Sequence, residues 1–171
     1  MSEETMKPPP LKQFIDDTKV KVDISINTAD LDSAMIQHAG LEWHYATQTA
    51  HARYQYERIK SAVEILEAKL DAEYRESLAA AAEGDGDKKK KAPTEAAIKA
   101  TILADRRYAS AQSRLHESQH IWKLCEATEN AFRSRKDMLL EVARDRRKER
   151  EGELRVLEEK SLQERARKLV S

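Results

Sequence analysis

A chain of 171 residues with 31 basic and 31 acidic side chains has a formal charge of zero, so any attraction to nucleic acid must come from local patches and not from the whole molecule. Charged residues make up 36% of it and there are only 4 Gly and 4 Pro, the composition of long helices and coiled coils rather than of a globule with a large core. No apolar run approaches the about 18 residues of a membrane span. The opening Met1–Pro10 has no signal-peptide stretch, and the single Cys125 cannot form an internal disulfide; these features predict a soluble cytoplasmic protein.

Residues 1–10, MSEETMKPPP, predict a disordered or polyproline-like tail. In the segment 11–27, Val20, Val22, Ile24 and Ile26 alternate with polar residues, which predicts a short β-strand. A lone strand is unstable in water, so this one would pair with another copy or lie along the helices, as an assembly element. Thr28, Asp30 and Asp32 offer helix-capping oxygens. A seam then runs in steps of four and three through Leu31, Met35, His38, Glu42, Tyr45, Thr49, Ala52, Tyr56, Ile59, Val63, Leu66 and Leu70, predicting a helix to about Ala82. Glu83-Gly84-Asp85-Gly86-Asp87 ends it, and Pro93-Thr94-Glu95 starts the next.

From Thr94 to Glu151 there is neither proline nor glycine, and Ile98, Ile102, Ala109, Leu115, Trp122, Cys125, Phe132, Leu139 and Val142 form one stripe. That spacing predicts a single rod of roughly 85 Å. After Gly152, a last helix is expected over 152–171. The expected fold is all-α in the main: a long antiparallel helical hairpin over 28–151 with its loop at 83–93, a short N-terminal β-strand and a C-terminal helix. Seams this thin predict a homo-oligomer that closes them between subunits.

Charge is uneven beneath the neutral total. Residues 28–82 hold five basic and nine acidic side chains, and 133–151 hold eight basic and five acidic. Lys88, Lys89, Lys90 and Lys91 sit in the expected loop, where they either neutralise phosphates or offset Glu83, Asp85 and Asp87. Arg133, Arg135 and Lys136, then Arg144, Arg146, Arg147 and Lys148, suit a phosphate backbone or salt bridges to a neighbour's acidic helix. Among the aromatics, Tyr45, Tyr56 and Trp122 fall on the seams as packing residues. Trp43 and Tyr54 lie off them as candidates for base stacking.

His116-Glu117-Ser118-Gln119-His120 satisfies the zinc-protease pattern H-E-x-x-H. The nearest third ligand, Glu141, lies roughly 30 Å further along an unbroken helix, against a coordination distance of about 2 Å, so surface histidines are the simpler reading. His38, His44 and His51 recur near heptad spacing, which chance placement on a long helix also explains. With no phosphate-binding glycine loop, no nucleophile elbow and no cysteine pair, the sequence predicts no catalytic residue, no metal and no cofactor.

Phe14-Ile15-Asp16-Asp17-Thr18-Lys19, the helix end Leu66-Glu67-Ala68-Lys69-Leu70-Asp71-Ala72-Glu73-Tyr74, the Gly-Asp-Gly-Asp turn, and the stretch TILADRRYASAQSRLHESQHIWKLCEATENAFRSRKDMLLEVARDRRKE from Thr101 resemble the UvsY family of phage recombination mediators. The resemblance covers about 11–150; the C-terminus from about Gly152 and the four-lysine loop depart from it. It implies a non-enzymatic oligomeric ring in the cytoplasm of a bacterial host, binding single-stranded DNA. Such proteins help displace single-strand-binding protein and load a RecA-like recombinase. Lys69 keeps the basic character of the family's DNA-contacting helix end, whereas Glu67 stands where a basic partner is expected. That shifts the implied DNA contact toward Lys60, Arg75 and the lysine loop. The alternative is a structural coiled-coil protein of phage scaffolding or morphogenesis, which the periodicity suits equally well.

Overall fold

The computed structural model describes residues 10–83 and 94–170, apart from the side chains of residues 79, 81–83 and 166–170. The tail before Pro10 and the loop carrying Lys88–Lys91 lie outside the described residues. The segment expected to be a strand is a helix, α1 (Asp17–Ile24). Asp16 caps it: its carboxylate accepts from the Thr18 N–H at 2.8 Å and the Lys19 N–H at 3.4 Å, meeting donors that a helix start leaves free. Ser25 ends it in extended backbone, and its N–H and Oγ both donate to the Val22 carbonyl. Alternation misled because a strand needs a partner and a capped helix does not. Val20 and Ile24, four apart, are half-buried, and Val22 stands 67% exposed.

After one 3₁₀ turn (Thr28–Asp30), α2 runs over Leu31–Glu83. The expected rod from Thr94 is two helices, α3 (Glu95–Ala104) and α4 (Arg106–Val170). Asp105 makes the break: its N–H donates to the Ile102 carbonyl at 3.0 Å and closes α3, and its carboxylate accepts the Arg107 N–H at 2.6 Å and opens α4. Aspartate competes for backbone donors in this way without any help from proline or glycine. The break resets the seam, so that Tyr108 is buried in place of Ala109. Gly152 makes no break at all; α4 continues through it, and the separate C-terminal helix is absent.

The long helices contribute to two compact units, residues 1–15 with 46–126 and residues 16–45 with 127–171. In the first unit, Val63 and Leu70 of α2 are buried with Ile98 and Ile102 of α3 and Tyr108 of α4. Nearer the N-terminal segment, Ala52 is buried with Ile121 and Cys125, and Leu11, Phe14, Ile15 and Trp122 pack on them. Early α2 residues meet late α4 residues, so the helices are antiparallel here. The Cys125 thiol is buried and pushed up to about 11 by that burial.

In the second unit the same antiparallel order pairs Leu31 and Ala34 with Leu139. The Tyr45 ring stacks on Phe132 with centroids 4.4 Å apart. Tyr45 Oη donates to Asp23 at 2.8 Å, and burial, then this bond, raises the phenol's pKa. From Ser118 to Leu139 the buried α4 positions follow three-and-four spacing throughout. Among the described residues no strand occurs, and no helix is long and apolar enough to cross a membrane.

Candidate nucleic-acid interface

Several basic side chains are engaged by carboxylates. In the first unit, Arg75 pairs with Asp71 and Glu95 at 2.7 and 2.9 Å, which raises the guanidinium pKa, Asp71 first. Arg107 joins Glu73 and Asp105 at 2.8 and 3.0 Å, and Tyr74 Oη donates to the same Asp105. Those bonds, Arg107's first, hold the Asp105 carboxyl at about 2. In the second unit Arg133 pairs with Glu129, and Arg144 with Glu141. Lys60, Lys69 and Lys136 are exposed. Nine residues separate Lys60 from Lys69, which places them half a turn apart on α2, so one straight strand cannot follow both along a single face.

Arg135 departs from expectation altogether. It is 4% exposed and occupies the seam step between Phe132 and Leu139. Its guanidinium donates to the carbonyls of Ile24 at 3.2 Å, Ser25 at 3.3 Å and Ala34 at 3.4 Å, and to His38 Nδ1 at 3.2 Å. A buried cation is tolerated when its donors are met, and here it neutralises the carbonyl end of α1. It is an internal clamp, unable to reach a phosphate. Because arginine only donates, His38 Nδ1 accepts and the imidazole carries its proton on Nε2, 3.5 Å from Glu42. Burial lowers the His38 pKa, Glu42 opposes, and Arg135 and Lys136 lower it further.

A different chemistry gathers on the first unit, where cations overlie rings. Trp122 stacks with Tyr56 at 5.3 Å, with the Arg53 guanidinium 5.8 Å and the Lys123 ammonium 4.6 Å from the indole. Tyr54 is 65% exposed, and the Arg58 guanidinium lies 5.9 Å from its ring. Such contacts orient a guanidinium without neutralising it. Trp43, the other stacking candidate, is also exposed, on the second unit. Arg53 and Arg58 were not among the predicted contacts, although Tyr54 and Arg58 are four apart on one helix and their meeting was readable from that spacing.

His116 and His120 are exposed, and among the described residues no three His, Cys, Asp or Glu side chains gather as a metal site. The remaining histidines of α2 have separate neighbours: His44 meets the edge of Tyr45, and His51 stacks on Phe14. No protein-family model, curated protein or solved structure matches the chain.

Proposed function

We propose that the protein is a non-enzymatic recombination mediator, a homo-oligomeric single-stranded-DNA-binding protein that helps load a RecA-like recombinase onto DNA covered by single-strand-binding protein in an infected bacterial cell. The observation that carries this reading is the surface of the first unit, where Arg53 and Arg58 lie over Trp122 and Tyr54. Bases in a duplex hide their faces; unstacked bases offer them to an exposed ring such as Tyr54, and neighbouring cations meet the phosphates. The resemblance over 11–150 points the same way. Each copy brings few contacts, so repetition around an oligomer would multiply a weak patch into useful affinity, while the weak single contacts leave the strand free to be handed on.

A structural coiled-coil role is the second reading, favoured by the exposed Leu154, Leu157 and Leu162 on α4. It gives no role to cations held over rings. Anisotropy of a labelled single-stranded oligonucleotide, with an equal-length duplex as control, separates the two. The mediator reading expects single strand to bind in preference to duplex, with affinity falling steeply from low to high salt, and alanine replacement of Lys88–Lys91 to measure the loop's share. No binding at low salt would leave the structural role.

A further inference from the structure

Beside Tyr54 the first unit contains a groove of about 520 Å³, a size at which small-ligand sites occur, formed by the N-terminal segment, one face of α2 and Arg114 of α4. We infer that this groove receives one nucleotide of a single DNA strand, its base against Tyr54 and its phosphodiester against Lys12, Arg58 and Arg114. This rests on the mediator reading and adds a site to it.

Charge selects the ligand class. The chain has equal numbers of acids and bases, yet among the described residues no carboxylate lines the groove, while Lys12, Arg58 and Arg114 all do. Among the described residues none of these three forms an ion pair, unlike Arg75, Arg107 and Lys123 of the same unit. Three uncompensated cations around one hollow call for an anion.

Shape and aromatic character narrow the class. Tyr54, Arg58 and Ala62 follow one another at four-residue steps, and small Ala62 with Ile59 leaves an apolar floor beside the exposed ring. A free phosphate would use the cations and ignore the ring and floor; a base with its phosphate uses both. The wall opposite is built in advance. Lys12 N–H donates to Gln55 Oε1 and Gln55 Nε2 donates to the Lys12 carbonyl, each at 3.2 Å, clipping the N-terminal segment to α2. Phe14 stacks on His51 and holds the Lys12 ammonium 5.1 Å from its own ring. Little conformational freedom remains to be lost on binding, which favours affinity.

The test uses the full-length protein and a short oligothymidylate carrying one 5-iodouracil. Irradiation should crosslink that base to Tyr54, located by peptide mass spectrometry. In anisotropy titrations Tyr54→Leu should weaken binding about tenfold and Tyr54→Phe restore it, the size expected for one stacked base. Arg58→Gln with Arg114→Gln should weaken binding and reduce the salt slope by about 0.7, the value for one phosphate of a single strand. Circular dichroism of the variants should match the parent, since Tyr54 is mostly exposed. If wild type binds the strand but the variants bind equally well and crosslinks fall elsewhere, the groove is overturned and the mediator reading stands. If wild type binds no strand, both fall. Displacement of the oligonucleotide by thymidine monophosphate at equal nucleotide concentration would overturn the assignment to a polymer, in favour of a free nucleotide.

Discussion

The two units use one spacing rule and fill it with opposite chemistry. In the first, Val63, Leu70, Ile98 and Ile102 make the seam apolar, and the charges of Glu73, Asp105 and Arg107 form a cluster outside that core. In the second, the seam itself contains His38 and Arg135. Periodicity decides which residues meet; whether a cation can stay there depends on acceptors, which Ile24, Ser25 and Ala34 supply from their backbones. The first unit should therefore respond to lost volume, and the second to a lost donor or a misplaced proton.

Arg135→Ala should give the largest effect, about 3–5 kcal/mol in urea unfolding, because it removes a buried side chain together with the donor to the part-buried Ile24 and Ser25 carbonyls and to His38 Nδ1. Weakened exchange protection of the α1 amides should accompany it; a loss under 1 kcal/mol would end the clamp interpretation. Leu70→Ala, at a fully buried position of the first unit, should cost about 2–4 kcal/mol through lost contacts and a cavity, and leave α1 protection as it was.

Acid separates the units by pH range. The folded His38 pKa lies below its ordinary 6.5, so the unfolded chain takes up the proton first. His38's contribution to the second unit is fully present above pH 6.5 and is lost as pH falls through that value toward the folded one. Asp105 acts lower: its contribution is present above 3.8 and lost as pH falls toward about 2. Hydrogen exchange between pH 7.5 and 5.5 should then show α1 losing protection while α3 keeps it, and His38→Leu should remove the difference. Equal loss in both would break the contrast. The smallest effect sharpens it most: Arg133→Ala, two residues from Arg135 on the same helix, should cost less than about 0.5 kcal/mol, since Arg133 holds an exposed pair with Glu129.

The long helices were readable from the spacing of the seam residues, and their antiparallel pairing from the short polar loop expected between them. Leu31, His38, Tyr45, Ala52 and Leu70 all lie on the predicted seam and are all buried. Three features escaped for separate physical reasons. Alternation at Val20 to Ile26 fits a strand locally, and only the Asp16 cap and the absence of a partner strand among the described residues decide against it. The break at Asp105 uses a side chain that elsewhere sits quietly on a helix surface. Arg135 was read by its charge when its position, three after Phe132 and four before Leu139, already marked it as internal. Of the candidate site, Tyr54 was visible as an aromatic off the seam. Lys12 and Arg114 were not, because 102 positions of chain separate them and only folding brings both to the groove.

One thiol in the whole chain, sealed beside Ala52 and Ile121 and held near 11 by burial, makes Cys125 a natural timer of opening. An alkylating reagent meets thiolate only when the helices part, so the labelling rate at neutral pH counts those excursions with no background from other sulfur. A strand seated in the groove, whose wall is continuous with the packing around this cysteine through Leu11 and Phe14, should slow that clock. Occupancy of the outer surface would then be read from within, without attaching a reporter to either the protein or the DNA.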